Sequence, residues 1–484
     1  MFKKTFKKII WLLARPTAFF IIVGLIFGIF FVITNPPGFG LDERAHFLRS
    51  YEIAQGNFLP TKTGANNHLG AELPKDLTQW VTVSTSDLLD NNNNLSIYKR
   101  HDAEPKRYTV FFHEKFSTQK VDDSLSNSQL AGTDNYSPIG YLHLALAVWI
   151  GEALHLGFLY ILYLARFVNL MVYFLIVYIA IRIIPRYKWL LAMVALWPVA
   201  LFQASIVSVD PVINSISFLL FALLIKYWHQ KDGTLSIAQA ILPVLLISIL
   251  AVTKQPYILL FIPFLFIPNR IFSSKRRAFI CKAFWVLVPI LAAIIWLEID
   301  KSNSLQAMNI GGVNFTKQLD FVLHDPLRFI GVILNTFFQA ADGYFGSMVG
   351  EIGDRMIGIS IIYLAILSCL TVGIASILSK DQDKKSRDIV SSKKNISVIL
   401  VVAIGIIGAI SLSLYLGFTP VGASIIEGIQ GRYFLPLIPF LGLALAPLIP
   451  LKLTVKKERA VLIMTTSSIF LLIITAALYT IVNY

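Results

Sequence analysis

Apolar runs long enough to cross a bilayer recur from one end of this chain to the other, beginning with "PTAFFIIVGLIFGIFFVIT" at residues 16–34. A hydrocarbon core about 30 Å thick needs roughly 20 apolar residues in a helix. Within it every backbone polar group must be satisfied inside the segment, which leaves helices as the spanning elements here. Of the 484 residues, 56% are hydrophobic and only 14% are charged, with a mean hydropathy of +0.68. A water-soluble fold of this length could not hide that much apolar surface. The expected class is an all-α polytopic membrane protein, a single integral domain over 1–484.

Charge then paces the topology. The net charge is +14, but the basic residues fall in short clusters between apolar runs, a topology signal rather than a nucleic-acid patch. Lys3, Lys4, Lys7 and Lys8 place the N-terminus in the cytoplasm, and the absence of a small-residue cleavage site marks the first run as a retained span. Arg182, Arg186 and Lys188 belong on the same side. So do Lys226 and Lys231, the group Arg270 to Lys282, the basic loop 379–395, and Lys452 to Arg459. Parity makes Pro138 to Ala153 and Pro326 to Ala341 outer-surface or re-entrant helices. The count is about 11 spans, with 13 as the upper reading. Two extracytoplasmic loops follow, 35–157 and 299–356; the first is long and polar, with an Asn run at Asn91 to Asn94. Cys281 and Cys369 suggest neither a disulfide framework nor a zinc site.

On this topology the unusual polar residues collect at one face. Asp42, Glu43, His46, Arg166, Asp210, Lys254, Arg355, Glu427, Arg432 and Tyr433 lie at outer helix ends or in outer loops, several beside Pro or Gly ("VSVDPVIN", "VTKQPYILL", "EGIQGRYFLPLIP"). Charges near a membrane face need partners, water or a ligand. Structural readings compete. Lys254 reads as a snorkelling residue, Asp210 before Pro211 as a helix cap, and His46 as an ordinary loop residue. Arg166, inside an apolar run, calls for an acidic partner.

The segments "LDERAHFLRSYEIAQG", "YSPIGYLHLALAVWIG", "LARFVNL", "SVDPVIN", "TKQPY" and "IQGRYFLPLIP" occur in that order. Together they resemble a bacterial membrane-protein family known as domain of unknown function 2142; the ordered set carries the likeness, over nearly the whole chain. Leu41 departs from the proline expected before the acidic pair. That family is similar to the GT-C superfamily of integral membrane glycosyltransferases, which take a sugar from a polyprenyl-phosphate carrier on the outer side of the membrane. The resemblance implies a GT-C-like bundle with outer juxtamembrane helices in the bacterial plasma membrane. It also implies a polyprenyl-phosphate-linked sugar donor and an envelope glycan or lipid-linked acceptor. Asp42 is then the general base, and Glu43 orients it or binds acceptor. Arg432, Lys254 and Arg166 hold the carrier phosphate, with Arg166 alternatively paired to Asp210. His46, Asp210, Tyr433, Arg355 and Glu427 complete the candidate site. Some GT-C enzymes use a divalent cation, magnesium or manganese, and others none. Asp42, Glu43 and His46 are the candidate ligands, although no spacing here is diagnostic. A flippase and a polysaccharide polymerase or ligase would also want cations to meet phosphate. A flippase should instead place its polar residues near the midplane.

Overall fold

A computed structural model describes residues 12–35, 37–59, 61–63, 68–74, 125–129, 133, 136–304, 312–352, 355–356, 360–380, 392–445 and 455–483. The N-terminal lysines, Asn91 to Asn94 and most of the 379–395 loop lie outside this set.

Helices make up most of it. The apolar runs become α1 (Pro16–Thr34), α4 (Phe158–Ile183), α7 (Asp210–Trp228), α10 (Lys275–Ser304), α14 (Lys393–Gly417) and α16 (Lys457–Asn483). Among the described residues these six are long and apolar enough to cross a membrane, or seven with a bent pair described below. The other apolar runs are shorter or interrupted. Trp197 and Pro198 divide one run into α5 (Lys188–Ala195) and α6 (Pro198–Ala204). Another ends as α8 (Ile237–Thr253), only 17 residues long, and the chain turns at Lys254 into a 3-10 helix, Gln255–Phe261. A third begins as a 3-10 turn, Gly431–Leu437. Proline removes a backbone donor and clashes with the preceding turn, so runs rich in it fragment. Among the described residues the count by length and composition is therefore six or seven, and the eleven expected depend on the shorter apolar helices.

Between α1 and α4 the chain forms α2 (Glu43–Ala54), strands β1 (Thr61–Thr63), β2 (His68–Pro74) and β3 (Leu125–Gln129), a 3-10 turn at Pro138–Tyr141, and α3 (Leu142–Ala153). The strands pair antiparallel in the order β1-β2-β3, a small sheet that a purely helical reading lacks. The 12 residues of α3 rise roughly 18 Å, too short to span. The second segment expected not to cross, Pro326 to Ala341, is the first part of α12 (Pro326–Gly350), bent by 108° at Asp325 from α11 (Phe315–His324). Asp325 uses its side chain to cap the second helix, accepting from Arg328 N at 3.0 Å.

The packing centre is α7. It is apolar nearly all round, and such a helix must be covered by others; 94% of its apolar window is buried. Around it α1, α4, α5, α6, α8 and the 3-10 turn at 431–437 contribute to one continuous core. Glycines let the helices close in. A Cβ at Gly24 would meet Phe174 at 2.6 Å, and one at Gly28 would meet Leu170 at 2.9 Å.

Candidate active site

The end of α1 and the start of α2 are joined by "NPPGFGLD". Two acids sit side by side there, and adjacent residues on a helix start point in different directions. Glu43 is fully buried. Its carboxylate accepts from Arg166 on α4 through both oxygens, Nε and Nη2 each at 2.6 Å. It also accepts from Val207 N at 3.0 Å, Gly38 N at 3.1 Å, Gly40 N at 3.4 Å and Asn35 Nδ2 at 3.5 Å. Arg166, also fully buried, donates further to Asn35 O at 2.6 Å. A buried ion pair persists only when geometry and extra hydrogen bonds offset desolvation, and this one has both. Arg166 therefore finds its acid in Glu43, not in Asp210.

One turn on from Arg166, Asn169 donates to Ile206 O at 2.6 Å and Ser208 O at 3.0 Å, and its Oδ1 meets His143 Nε2 at 2.8 Å. The 205–209 loop is thus held from both sides, by Glu43 and by Asn169. It delivers Asp210 at the first position of α7.

Asp42 is placed otherwise. Its side chain is 55% exposed, and its backbone lies in the left-handed region, φ 55 and ψ 13. Asp is among the few residues that tolerate this conformation, and such outliers gather at functional sites. It stands at the N-cap position of α2 yet makes no cap hydrogen bond there; its carboxylate instead meets Arg432 Nη2 at 2.5 Å. Burial would raise this carboxyl, but the Arg432 guanidinium, helped by His46, outweighs it and holds the pKa below its ordinary value. Asp42 is crowded by protein and still reached by solvent.

Arg432, almost wholly buried, also directs Nε toward Asp210 Oδ2 at 3.5 Å. Lys254, the C-cap of α8, reaches Asp210 Oδ1 at 3.4 Å. Its Nζ lies 3.8 Å from the centre of the Tyr433 ring, a cation–π contact. With only 13% of its side chain exposed, Lys254 is a buried partner rather than a snorkelling one. Asp210 does not use its side chain as a cap; it accepts from Lys254 and from Gln203 Nε2 at 3.2 Å. Asn214 in turn donates to Gln203 Oε1 at 3.1 Å.

His46, one turn along α2, is buried, and its Nδ1 meets Tyr141 Oη at 2.7 Å. Its ring stacks on Tyr136, centroids 6.1 Å apart and planes 10° apart. Burial pushes its pKa down to about 4, against the pull of Asp42 and Asp210, so the imidazole is neutral at neutral pH. Tyr257 donates to Tyr433 O at 2.6 Å, fixing the segment that carries Arg432.

Asp42, His46, Asp210, Lys254, Arg432 and Tyr433 therefore come together, with Glu43 and Arg166 directly beneath as a closed pair. Glu427 lies in the 418–430 loop with its N–H on Thr419 Oγ1 at 3.1 Å and its side chain exposed. Arg355 lies in a short antiparallel pair with Ile352. The set Asp42, Glu43 and His46 does not converge as a cation site, because Glu43 is committed to Arg166 and the His46 ring to Tyr141. Among the described residues no three His, Cys, Asp or Glu side chains are grouped to hold a metal.

Asn35, Asn169, Gln203 and Tyr136 were not singled out by sequence reasoning. Asn169 and Gln203 carried the available signal, an amide inside an apolar run, which must find a partner when buried. The Tyr479 hydroxyl, from α16, donates to Asn35 Oδ1 at 2.5 Å.

Fold and site together define a multi-pass helical membrane protein with a charged, partly open cluster where several helix ends meet. The chain belongs to the family described as "Predicted membrane protein (DUF2142)", whose match runs over residues 25–441. No curated protein and no solved structure matches the chain.

Proposed function

We propose that this protein is a GT-C-type glycosyltransferase. It would move a sugar from a polyprenyl-phosphate carrier to an envelope glycan or lipid-linked acceptor, on the outer face of the bacterial plasma membrane. The observation that carries the reading is the position of Asp42, a solvent-reached carboxylate in contact with a buried arginine.

The chemistry follows from that juxtaposition. An acceptor hydroxyl oxygen bonds to the anomeric carbon as the bond from that carbon to the carrier phosphate oxygen breaks. The phosphate leaves with the electron pair, and the hydroxyl proton passes to Asp42. A positioned base of this kind typically contributes about 10²–10⁴ in rate. Arg432 and Lys254 supply fixed positive charge where the leaving phosphate gains negative charge. In-line displacement inverts the anomeric centre. Glu43 and Arg166, saturated by each other and by backbone, position the loop that presents Asp42. Arg166 thus becomes a positioning residue in this reading instead of a phosphate ligand.

The topology that goes with it has eleven crossings, counting α5 with α6 and the shorter apolar helices as spans. Asp42 follows the C-terminal end of α1, Asp210 opens α7, and Lys254 closes α8. Alternating crossings bring these three ends to one side. A cluster at helix ends favours surface chemistry over a midplane transport site.

The test is transfer of labelled sugar from a short-chain polyprenyl-phosphate donor to membrane acceptor. Asp42→Asn keeps the size of the side chain but accepts no proton at neutral pH, so transfer should fall by about 100-fold or more. Full transfer by this variant overturns the mechanism. A cysteine at Ser424 should react with an impermeant thiol reagent in intact cells and one at Ser386 should not; the reverse places the site on the wrong face.

A further inference from the structure

Far from the charged cluster, α8 and α10 enclose a cavity of about 380 Å³ between their N-terminal halves. Ile237, Ala240, Ile241 and Val244 line it from α8, and Ile280, Cys281, Phe284 and Val288 from α10. The one charged group in the lining is Arg277. The cavity lies toward the end of α8 opposite Lys254, its α8 lining residues about 15–25 Å from Lys254 along the helix. Its volume is in the range of small-molecule sites.

Two properties coincide here. The walls are aliphatic and aromatic and open outward, with Ile237 70%, Phe284 56% and Ile241 48% exposed. They continue the apolar outer faces that α10 presents along its length at Leu287, Leu291 and Ile294, the surface a spanning helix turns to lipid. At the mouth, charge is of one sign. Lys275, Arg276, Arg277 and Lys282 begin α10 with no acid among them. Asp232 is spoken for by Arg270 at 2.6 Å. Arg277 donates to Leu235 O at 3.0 Å and Ser273 Oγ at 3.2 Å. A guanidinium has five N–H donors, so these bonds leave capacity for an anion. Lys282 is outside the lining and is tied to Asn269 Oδ1 at 2.7 Å.

We infer that this cavity is a binding site for an anionic phospholipid, with an acyl chain between α8 and α10 and the phosphate headgroup on Arg277. Basic pockets between membrane helices take such headgroups, and each cation near the surface contributes about 1 kcal/mol. The site is distinct from the proposed transfer site and independent of that reaction.

The test uses the full chain purified in neutral detergent. Lipid carried through purification is extracted and identified by mass spectrometry. Thermal unfolding is then followed with added phosphatidylglycerol, phosphatidylcholine or inorganic phosphate. Phosphatidylglycerol should be retained and should raise the midpoint, while the other two leave it unchanged. Arg277→Gln should lower retention about fivefold, the equivalent of one lost cation. Because Arg277 also ties α10 to Leu235, Ala240→Phe is the second variant; it fills the cavity, keeps every cation, and should lower retention at least as much. Equal stabilisation by phosphatidylcholine means a generic lipid surface and overturns the inference. Equal stabilisation by inorganic phosphate means an anion site without a lipid and does the same. Unchanged retention by Ala240→Phe shows that no chain enters the cavity, and it decides the matter alone if Arg277→Gln fails to fold.

Discussion

Asp42 and Arg432 are 390 residues apart in sequence and meet at 2.5 Å. The first helix end of the family-matched region and nearly its last segment are thereby closed onto each other. The contact joins a carboxylate that solvent reaches to a cation that it hardly does, 55% against 3% side-chain exposure. Arg432 is held from several sides and Asp42 from few, so the arginine is the fixed member and the aspartate the one able to change partners.

A first prediction follows for Arg432. Its Nη2 serves Asp42 and its Nε faces Asp210, a division of labour that needs a planar fork. Lysine keeps the charge but offers a single ammonium. Arg432→Lys should therefore leave protein abundance near normal and still lose most sugar transfer. Arg432→Lys with wild-type transfer would reduce Arg432 to a generic positive charge and move the proposed phosphate site to Lys254.

The second prediction separates the two acids. Arg166→Met leaves the Glu43 carboxylate buried without its cation, and breaking such a pair costs about 3–5 kcal/mol. Abundance and thermal midpoint should both drop. Glu43→Gln combined with Arg166→Met removes both charges and should recover much of the stability. A double variant no better than Arg166→Met would show that Glu43 is stabilised mainly by its backbone donors.

Much of this arrangement was legible in the chain, and what was not has definite causes. The residue types at the cluster could be named because charged groups near a membrane face stand out against apolar runs. Which acid faces which cation could not. Asp42 and Glu43 are adjacent, and no local pattern says which turns inward; the decision is made by Arg166, 123 residues on. The Asn169 and Gln203 amides carry no charge and were passed over, although their burial forces them to hold the 205–209 loop and Asp210. Apolar length alone also does not fix the span count. Trp197-Pro198 and the prolines after Lys254 and Tyr433 break runs that hydropathy alone joins.

The third prediction concerns pH. The His46 pKa is lowered to about 4 from 6.5. Between those values the unfolded chain binds a proton that the folded chain does not. Stability therefore rises with pH across this window and is fully present above about 6.5, and it falls on acidification by up to about 1.4 kcal/mol per pH unit. The midpoint of thermal unfolding in detergent should decline from pH 6.5 toward 4, and His46→Gln should flatten that decline. An unchanged slope in the variant would assign the pH dependence to another group. Asp42, also lowered, acts in the same direction but at lower pH. Its ion pair is present above the ordinary carboxylate range and is lost only as pH falls below it, so sugar transfer should hold its value at pH 5.

The last prediction tests how Arg432 is aimed. Before it, the 418–430 loop is pinned to the bent pair α11 and α12. Gln318 Nε2 donates to Pro420 O at 3.2 Å, Thr336 Oγ1 accepts from Ile426 N at 3.0 Å, and Ser347 Oγ accepts from Gly431 N at 2.7 Å. After it, Phe434 packs on Phe337 of α12, centroids 6.0 Å apart. At Gly431 the two backbones touch. An added Cβ would lie 2.0 Å from Tyr344 O and 2.3 Å from Met348 N. These are backbone atoms of a helix end that is itself buried, so they cannot rotate away as a side chain would, and overpacking of this kind typically costs about 1–3 kcal/mol. Gly431→Ala should push the segment off α12 and carry Arg432 away from Asp42. Gly331→Ala is the matched control. It lies in the same helix pair, and its Cβ would meet nothing within 4 Å; relief of glycine's backbone entropy should make it neutral or slightly stabilising. The measurement is sugar transfer beside the thermal midpoint for both variants. Gly431→Ala should lose transfer out of proportion to its loss of stability, while Gly331→Ala keeps both. If Gly431→Ala keeps full transfer, the contact with α12 does not set the position of Arg432, and the bent pair has no part in building the site.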